Sequence, residues 1–146
     1  MAEISRAQRM EQVIRAYFQA CKDADAKGIA ACFCPDAVHY FPHREVWVGA
    51  DTIGNGAGKL IQGQGGYWTV DQLLIDAERH AAVVEWSRFY RQHDRISRGM
   101  EWYVFDPETL RIREVRLYFA AVPNPTVMQH ELVSFDYAGR GYPTLS

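Results

Sequence analysis

The residue types that could do chemistry gather first in Ala31–His43, "ACFCPDAVHYFPH". Two cysteines two apart are followed by two histidines four apart. A zinc finger needs about a dozen residues between its Cys pair and its His pair, so that the chain can fold back on the metal. Only four residues separate Cys34 from His39, so no metal site is expected. The expected arrangement is a small buried Cys32 on a helix face, Cys34 in the turn after it, and His39 on a strand. "GNGAGKL", Gly54–Leu60, has the look of a phosphate loop. A Walker motif needs Ser or Thr after Gly-Lys, and Leu60 stands there; a dinucleotide fingerprint needs glycine where Lys59 stands. The glycines instead suit a helix packed closely over a cavity. There is no G-x-S-x-G elbow and no cysteine in a nucleophile setting. His43, His80 and His93 fall in turns or loops and are expected to be solvated.

The elements that must position these groups follow from periodicity. Met10, Val13, Ile14, Tyr17, Phe18 and Cys21 recur at helical spacing from Ser5 to Asp23. Asp25 suits the N-cap of a short helix over Ala26–Phe33, stopped by Pro35-Asp36. Ala37–Phe41 and Val46–Val48 read as strands, and Asp51 as the cap of a glycine-weakened helix over Thr52–Ile61. Strands follow at Trp68–Asp76, Ala82–Arg91, Ser97–Phe105 and Arg111–Val122, with turns at Ala77–His80 and Asp106–Thr109. Helices first and a meander after is an α+β pattern. Pro123-Asn124-Pro125 is expected to end the sheet, dividing residues 1–122 from an aromatic, glycine-rich tail, 123–146, that packs on the domain or on a dimer partner.

Bulk composition narrows the classes. The chain has 146 residues, enough for one domain with a core, and 48% are hydrophobic. A net charge of -2 argues against a nucleic-acid surface. No apolar run approaches a membrane span, and the polar N-terminus does not resemble a signal peptide. Three cysteines at irregular spacing suit reduced thiols, so a cytoplasmic location is expected.

The run "AYFQACKDADAKGIAACFCPDAVHYFP", Ala16–Pro42, and "VFDPETLRIREVRLYF", Val104–Phe119, resemble the nuclear transport factor 2-like superfamily, in its SnoaL-like and ketosteroid isomerase-like branches. The matching pieces are a Tyr in the first helix, Asp-x-x-Gly-Ile opening the second, and Phe-x-x-Asp-Ala-Val entering a strand. The resemblance implies a cone: a curved antiparallel sheet wrapped around N-terminal helices, with a deep apolar pocket and a convex face that forms a homodimer. It places Tyr17 at the oxyanion-hole tyrosine of ketosteroid isomerases and Glu101 at their second, protonated donor. Their general base falls at Phe41, which cannot move a proton. His39, two residues earlier on the same strand face, is the natural substitute. The base of SnoaL-type cyclases falls at Leu117. The Asp-Arg-Asp set of limonene epoxide hydrolases is replaced by Trp86, Arg88 and Leu117.

With the period of two, Val84, Trp86, Arg88 and Tyr90 share one face, as do Glu101 and Tyr103, and Val115, Leu117 and Phe119. The resemblance turns these faces inward and leaves Trp102 and Tyr118 on the convex side. Arg88 and Glu101 are expected to face each other on neighbouring strands. The expected function is cofactor-independent proton transfer on a small, mostly apolar substrate: isomerisation, elimination, or SnoaL-type cyclisation. His39 would be acid or base with a pKa near working pH. Tyr17 would donate to an oxyanion, and Glu101 and Arg88 would orient or assist. Phe41, Trp68, Trp86, Tyr90, Tyr103, Leu117 and Phe119 would hold the substrate. The alternatives are a non-catalytic dimer that binds a small molecule or partner, and an epoxide hydrolase built on Arg88 with Glu101.

Overall fold

The computed structural model describes residues 2–42, 44–91, 96–119 and 132–142. His43, His93, Pro123-Asn124-Pro125 and the boundary at residue 122 lie outside them. Helix α1, Arg6–Lys22, begins with a capping box: the Ser5 hydroxyl accepts from the Gln8 N–H, and the Gln8 side chain accepts from the Ser5 N–H. Its Met10, Ile14, Tyr17, Phe18 and Cys21 are buried, the stripe expected from spacing. The Asp25 carboxylate caps α2, Ala26–Ala31, by accepting from Gly28 N–H.

Strand β1 runs from Phe33 to Tyr40, four residues earlier than the sequence suggests. Phe33 pairs with Ile112, so α2 ends before it. Pro35-Asp36 does not stop the chain but sits inside β1 where the pairing shifts register, between Phe33 and Val38. A proline without an N–H is tolerated at such an irregularity. Cys34 therefore belongs to β1 rather than a turn. Its thiol is directed at the Arg111 carbonyl, and that of Cys32 at Gly28. All three cysteines are free and buried.

After the short β2, Trp47–Val48, helix α3 spans Ala50–Gln64, longer than expected, with Gly49 rather than Asp51 as N-cap. The close-packing role of its glycines is real: a Cβ on Gly54 would run into the Ala26 carbonyl oxygen of α2. Strands β3 (Tyr67–Asp76), β4 (Ala81–Phe89), β5 (Ile96–Phe105) and β6 (Ile112–Phe119) form the antiparallel meander. Asp76 and Asp106 accept backbone N–H bonds in the β3–β4 and β5–β6 turns, and His80 is half-buried in the first. The sheet order is β2-β1-β6-β5-β4-β3. One pair departs from the expected antiparallel sheet. β1 runs parallel to β6, because the chain enters the sheet from the helices and returns to it only after the full meander.

The core lies between the helices and the concave sheet face. Val84, Trp86, Tyr103, Val115 and Leu117 are buried there. Trp102 and Tyr118 are each 41% exposed on the convex face, the side expected to meet a dimer partner. The described part of the tail packs on its own domain: Val133 N–H donates to the Phe41 carbonyl, and Arg140 reaches Glu114 on β6. No helix among the described residues is long and apolar enough to cross a membrane.

Candidate active site

A cavity of about 250 Å³ opens between α1, α3 and the concave sheet. Tyr17, Phe18 and Cys21 from α1 and Ala57, Leu60, Ile61 and Gln64 from α3 form its roof. His39, Phe41, Trp68, Trp86, Arg88, Tyr90, Glu101, Leu117 and Phe119 form its sheet wall, with Arg44 and Trp47 at one side. Of the expected residues, only Tyr103 does not line the cavity. It is completely buried and stands behind Glu101, donating its phenolic hydrogen to Glu101 Oε2.

His39 and Glu101 are brought together by β6, which separates their strands. His39 is level with Val115, and Glu101 with Leu117, so the two side chains meet diagonally across that strand. His39 Nε2 lies 3.8 Å from Glu101 Oε1, close but beyond a hydrogen bond. The imidazole stacks on Phe41 with ring centroids 4.2 Å apart. His39 Nδ1 has no well-aligned hydrogen-bond partner among the described residues.

Burial governs both groups, in opposite directions. It raises the Glu101 carboxyl to a pKa of about 7, against a smaller lowering by the Tyr103 hydroxyl. It lowers His39 to about 3, an effect opposed by the Tyr40 backbone and reinforced by Arg44. Both groups are thus neutral in slightly acidic solution, and their contact is not an ion pair there. This reverses the expected roles: Glu101 titrates near working pH, and His39 does not. Burial also raises the Tyr17 phenol well above its ordinary value, with Cys21 and Glu101 adding to it, so the phenol stays protonated.

Arg88 does not face Glu101. It is level with Ser97, and Glu101 with Val84, so the two lie at different heights of the β4–β5 ladder and no ion pair joins them. The acid–base pair that the epoxide hydrolase alternative needs is therefore not assembled. The guanidinium carbon lies 4.4 and 4.2 Å from the ring centroids of Trp68 and Tyr90, and Nη2 donates to Gln64 Oε1 at 2.9 Å. Trp86 lies opposite Gly99, where a Cβ would meet the indole Cζ2 at 2.5 Å. The indole Nε1 and Arg88 Nε are buried without hydrogen-bond partners among the described residues. Sequence reasoning missed Gln64, Arg44 and Trp47. Phe18 and Cys21 were visible as neighbours of Tyr17 on the α1 stripe, but nothing local marks Gln64 or Arg44. No group of three or more His, Cys, Asp or Glu side chains suited to a metal occurs among the described residues.

A curved sheet closed over N-terminal helices around an apolar cavity defines the cone fold of the nuclear transport factor 2-like superfamily. Within it, the chain belongs to the SnoaL-like domain family, which matches residues 14–115. It is similar over 99% of its length, at 41% identity and a TM-score of 0.89, to 97% of a protein of unknown function with a cystatin-like fold from Methylobium petroleophilum. A protein from Shewanella denitrificans assigned as a SnoaL-like polyketide cyclase shares 16% identity over 76% of this chain and 90% of its own, with a TM-score of 0.66. One from Kribbella flavida assigned as a ketosteroid isomerase shares 17% over 84% and 86%, with a TM-score of 0.65. At these last identities the likeness is one of fold. Comparison with curated proteins finds no match.

Proposed function

We propose that the chain is a cofactor-independent enzyme that moves a proton on a small, mostly apolar carbonyl compound, in an isomerisation, an elimination or an aldol-type cyclisation. One observation carries this reading: a buried carboxyl, Glu101, stands 3.8 Å from a buried imidazole on the wall of a largely apolar cavity, with no Lys or Arg paired to it among the described residues. A packed core has no need of such a pair, and desolvation makes it costly.

The roles follow from the geometry. Glu101, ionised above about pH 7, removes a proton from the carbon next to the carbonyl. A base whose pKa lies near the working pH combines availability with driving force. Tyr103 fixes one carboxyl oxygen and leaves the other toward His39. Tyr17, kept protonated, donates to the oxygen on which negative charge develops. The proton on Glu101 then returns at a second carbon, directly or through neutral His39, or leaves with the departing group in an elimination.

Solvent deuterium uptake tests this without knowledge of the natural substrate. Cyclic enones and β-dicarbonyl compounds are incubated with the protein in D2O and followed by NMR. The expected result is enzyme-dependent exchange at a carbon next to a carbonyl, rising with pH through about 7. Glu101→Gln should slow it about 10²–10⁴-fold. Exchange of equal rate in folded Glu101→Gln, or no exchange with any probe, overturns the reading.

A further inference from the structure

Arg88 is 8% exposed and lines the cavity, yet no carboxylate reaches it among the described residues. Its side-chain neighbours Gln64, Trp68 and Tyr90 are all neutral. The Tyr90 side chain also engages the guanidinium and Gln64 takes Nη2, which leaves Nε as a donor that a carboxylate oxygen can accept from in a charge-assisted hydrogen bond. Arg88 Nε is unpartnered, and so is the indole Nε1 of Trp86, two residues away on the same strand face. A second cation, Arg44, lines the cavity, and Glu101 is the one acidic side chain on the wall among the described residues. A neutral carbonyl oxygen could accept from both donors but would leave the charge uncompensated. An anion with two oxygens satisfies both donors and the charge.

We propose that the substrate is an amphipathic carboxylic acid, its carboxylate held by Arg88 and the Trp86 indole N–H, with its apolar body extending toward Glu101. This rests on the reading that the cavity is the substrate site. It adds a class of molecule to that reading and a direction of binding. Glu101 is level with Val84 on β4, four residues from Arg88, so the two backbone positions are about 13 Å apart at strand rise. The acid group and the reacting carbon thus lie at opposite ends of the molecule. An engineered cavity of 150 Å³ takes benzene, so this one suits about ten non-hydrogen atoms.

The test is calorimetric binding of cinnamate and 2-naphthoate, each against its neutral amide, at pH 7.5. The wild-type protein is expected to bind each acid at least tenfold more tightly than its amide. Arg88→Met should abolish that preference, with circular dichroism reporting an intact fold. Trp86→Phe, which keeps a ring and removes the N–H, should lose a smaller part of it. Equal binding of acid and amide by the wild type, binding of neither, or a preference that survives in Arg88→Met overturns the proposal. The two readings fail separately. Acid preference with no deuterium exchange breaks proton transfer alone, and exchange on neutral ketones with no acid preference breaks the anion subsite alone.

Discussion

Two glutamates, Glu101 on the concave face and Glu114 on the convex one, are almost equally buried, at 7% and 9% exposure. Their carboxyls are nevertheless pushed in opposite directions. Burial raises both, but at Glu114 hydrogen bonds from Arg140 and Arg116 outweigh it and hold the group below its ordinary range. Arg116 Nε lies 2.7 Å from Glu114 and Arg140 Nη2 lies 2.6 Å from it, with Arg140 also reaching the Tyr40 hydroxyl. Tyr142 and Phe135 of the tail close over the same arginines. Glu101 has one tyrosine, a neutral imidazole at 3.8 Å, and open cavity beside it. Burial of an acid is therefore not itself a sign of chemistry. A buried acid with its cations in place is a fastening between tail and sheet. One supplied with neutral partners and left facing a cavity can gain and lose a proton there.

The strongest way to break the contrast is to remove the fastening. Glu114→Gln leaves Arg116 and Arg140 crowded without their anion and should cost about 3 kcal/mol of stability, read by urea denaturation, with deuterium exchange at the cavity unchanged. An exchange rate that falls along with stability would show that the two regions are coupled.

The pH dependence of stability sharpens the contrast at the cavity. Glu101 has a folded pKa above its unfolded value, about 7 against 4.5, so its contribution is full below 4.5 and is lost as pH rises to 7. His39 has a folded pKa below its unfolded value, about 3 against 6.5, so its contribution is full above 6.5 and is lost as pH falls to 3. Between 4.5 and 6.5 the two slopes cancel. In Glu101→Gln only the histidine slope remains, and stability should rise with pH across that window by about 2 kcal/mol relative to wild type. Parallel wild-type and mutant curves would show that Glu101 ionises in the folded protein as it does in the unfolded chain.

The smallest effect isolates the tyrosine behind the wall. Tyr103→Phe removes the hydrogen bond that favours ionised Glu101, so the midpoint of the pH–rate profile for deuterium exchange should move up by about half a unit to one unit. An unmoved midpoint would assign the observed titration to another group.

Much of the fold was legible because it rests on local periodicity. The α1 stripe, the Ser5 and Asp25 caps and the four strands of the meander all follow from spacing and side-chain chemistry within a few residues. The inward faces of β4 to β6 were legible for the same reason, since a strand alternates faces whatever it pairs with. Resemblance then pointed at Tyr17, His39 and Glu101, and all three do line one cavity. Illegible were the start of β1 at Phe33, which depends on a parallel partner far along the chain, and the length of α3, whose glycines weaken it alone but let it press against α2. The same limit produced the mistaken pairing of Arg88 with Glu101. Face periodicity says that both point inward, but register, a property of two strands together, says at what height.

The amino-acid sequence by itself thus determined the order and kind of the main elements, which face the meander strands turn inward, and which ionisable groups that face carries. Only the tertiary structure decided how those groups behave. Parallel pairing of β1 with β6 set His39 beside Glu101, and burial between the helices and the sheet removed the water that would otherwise hold both near their ordinary pKa values. Dielectric surroundings and long-range register are properties of the assembled fold, and they are what separate a carboxyl raised to about 7 at Glu101 from one held below its ordinary range at Glu114.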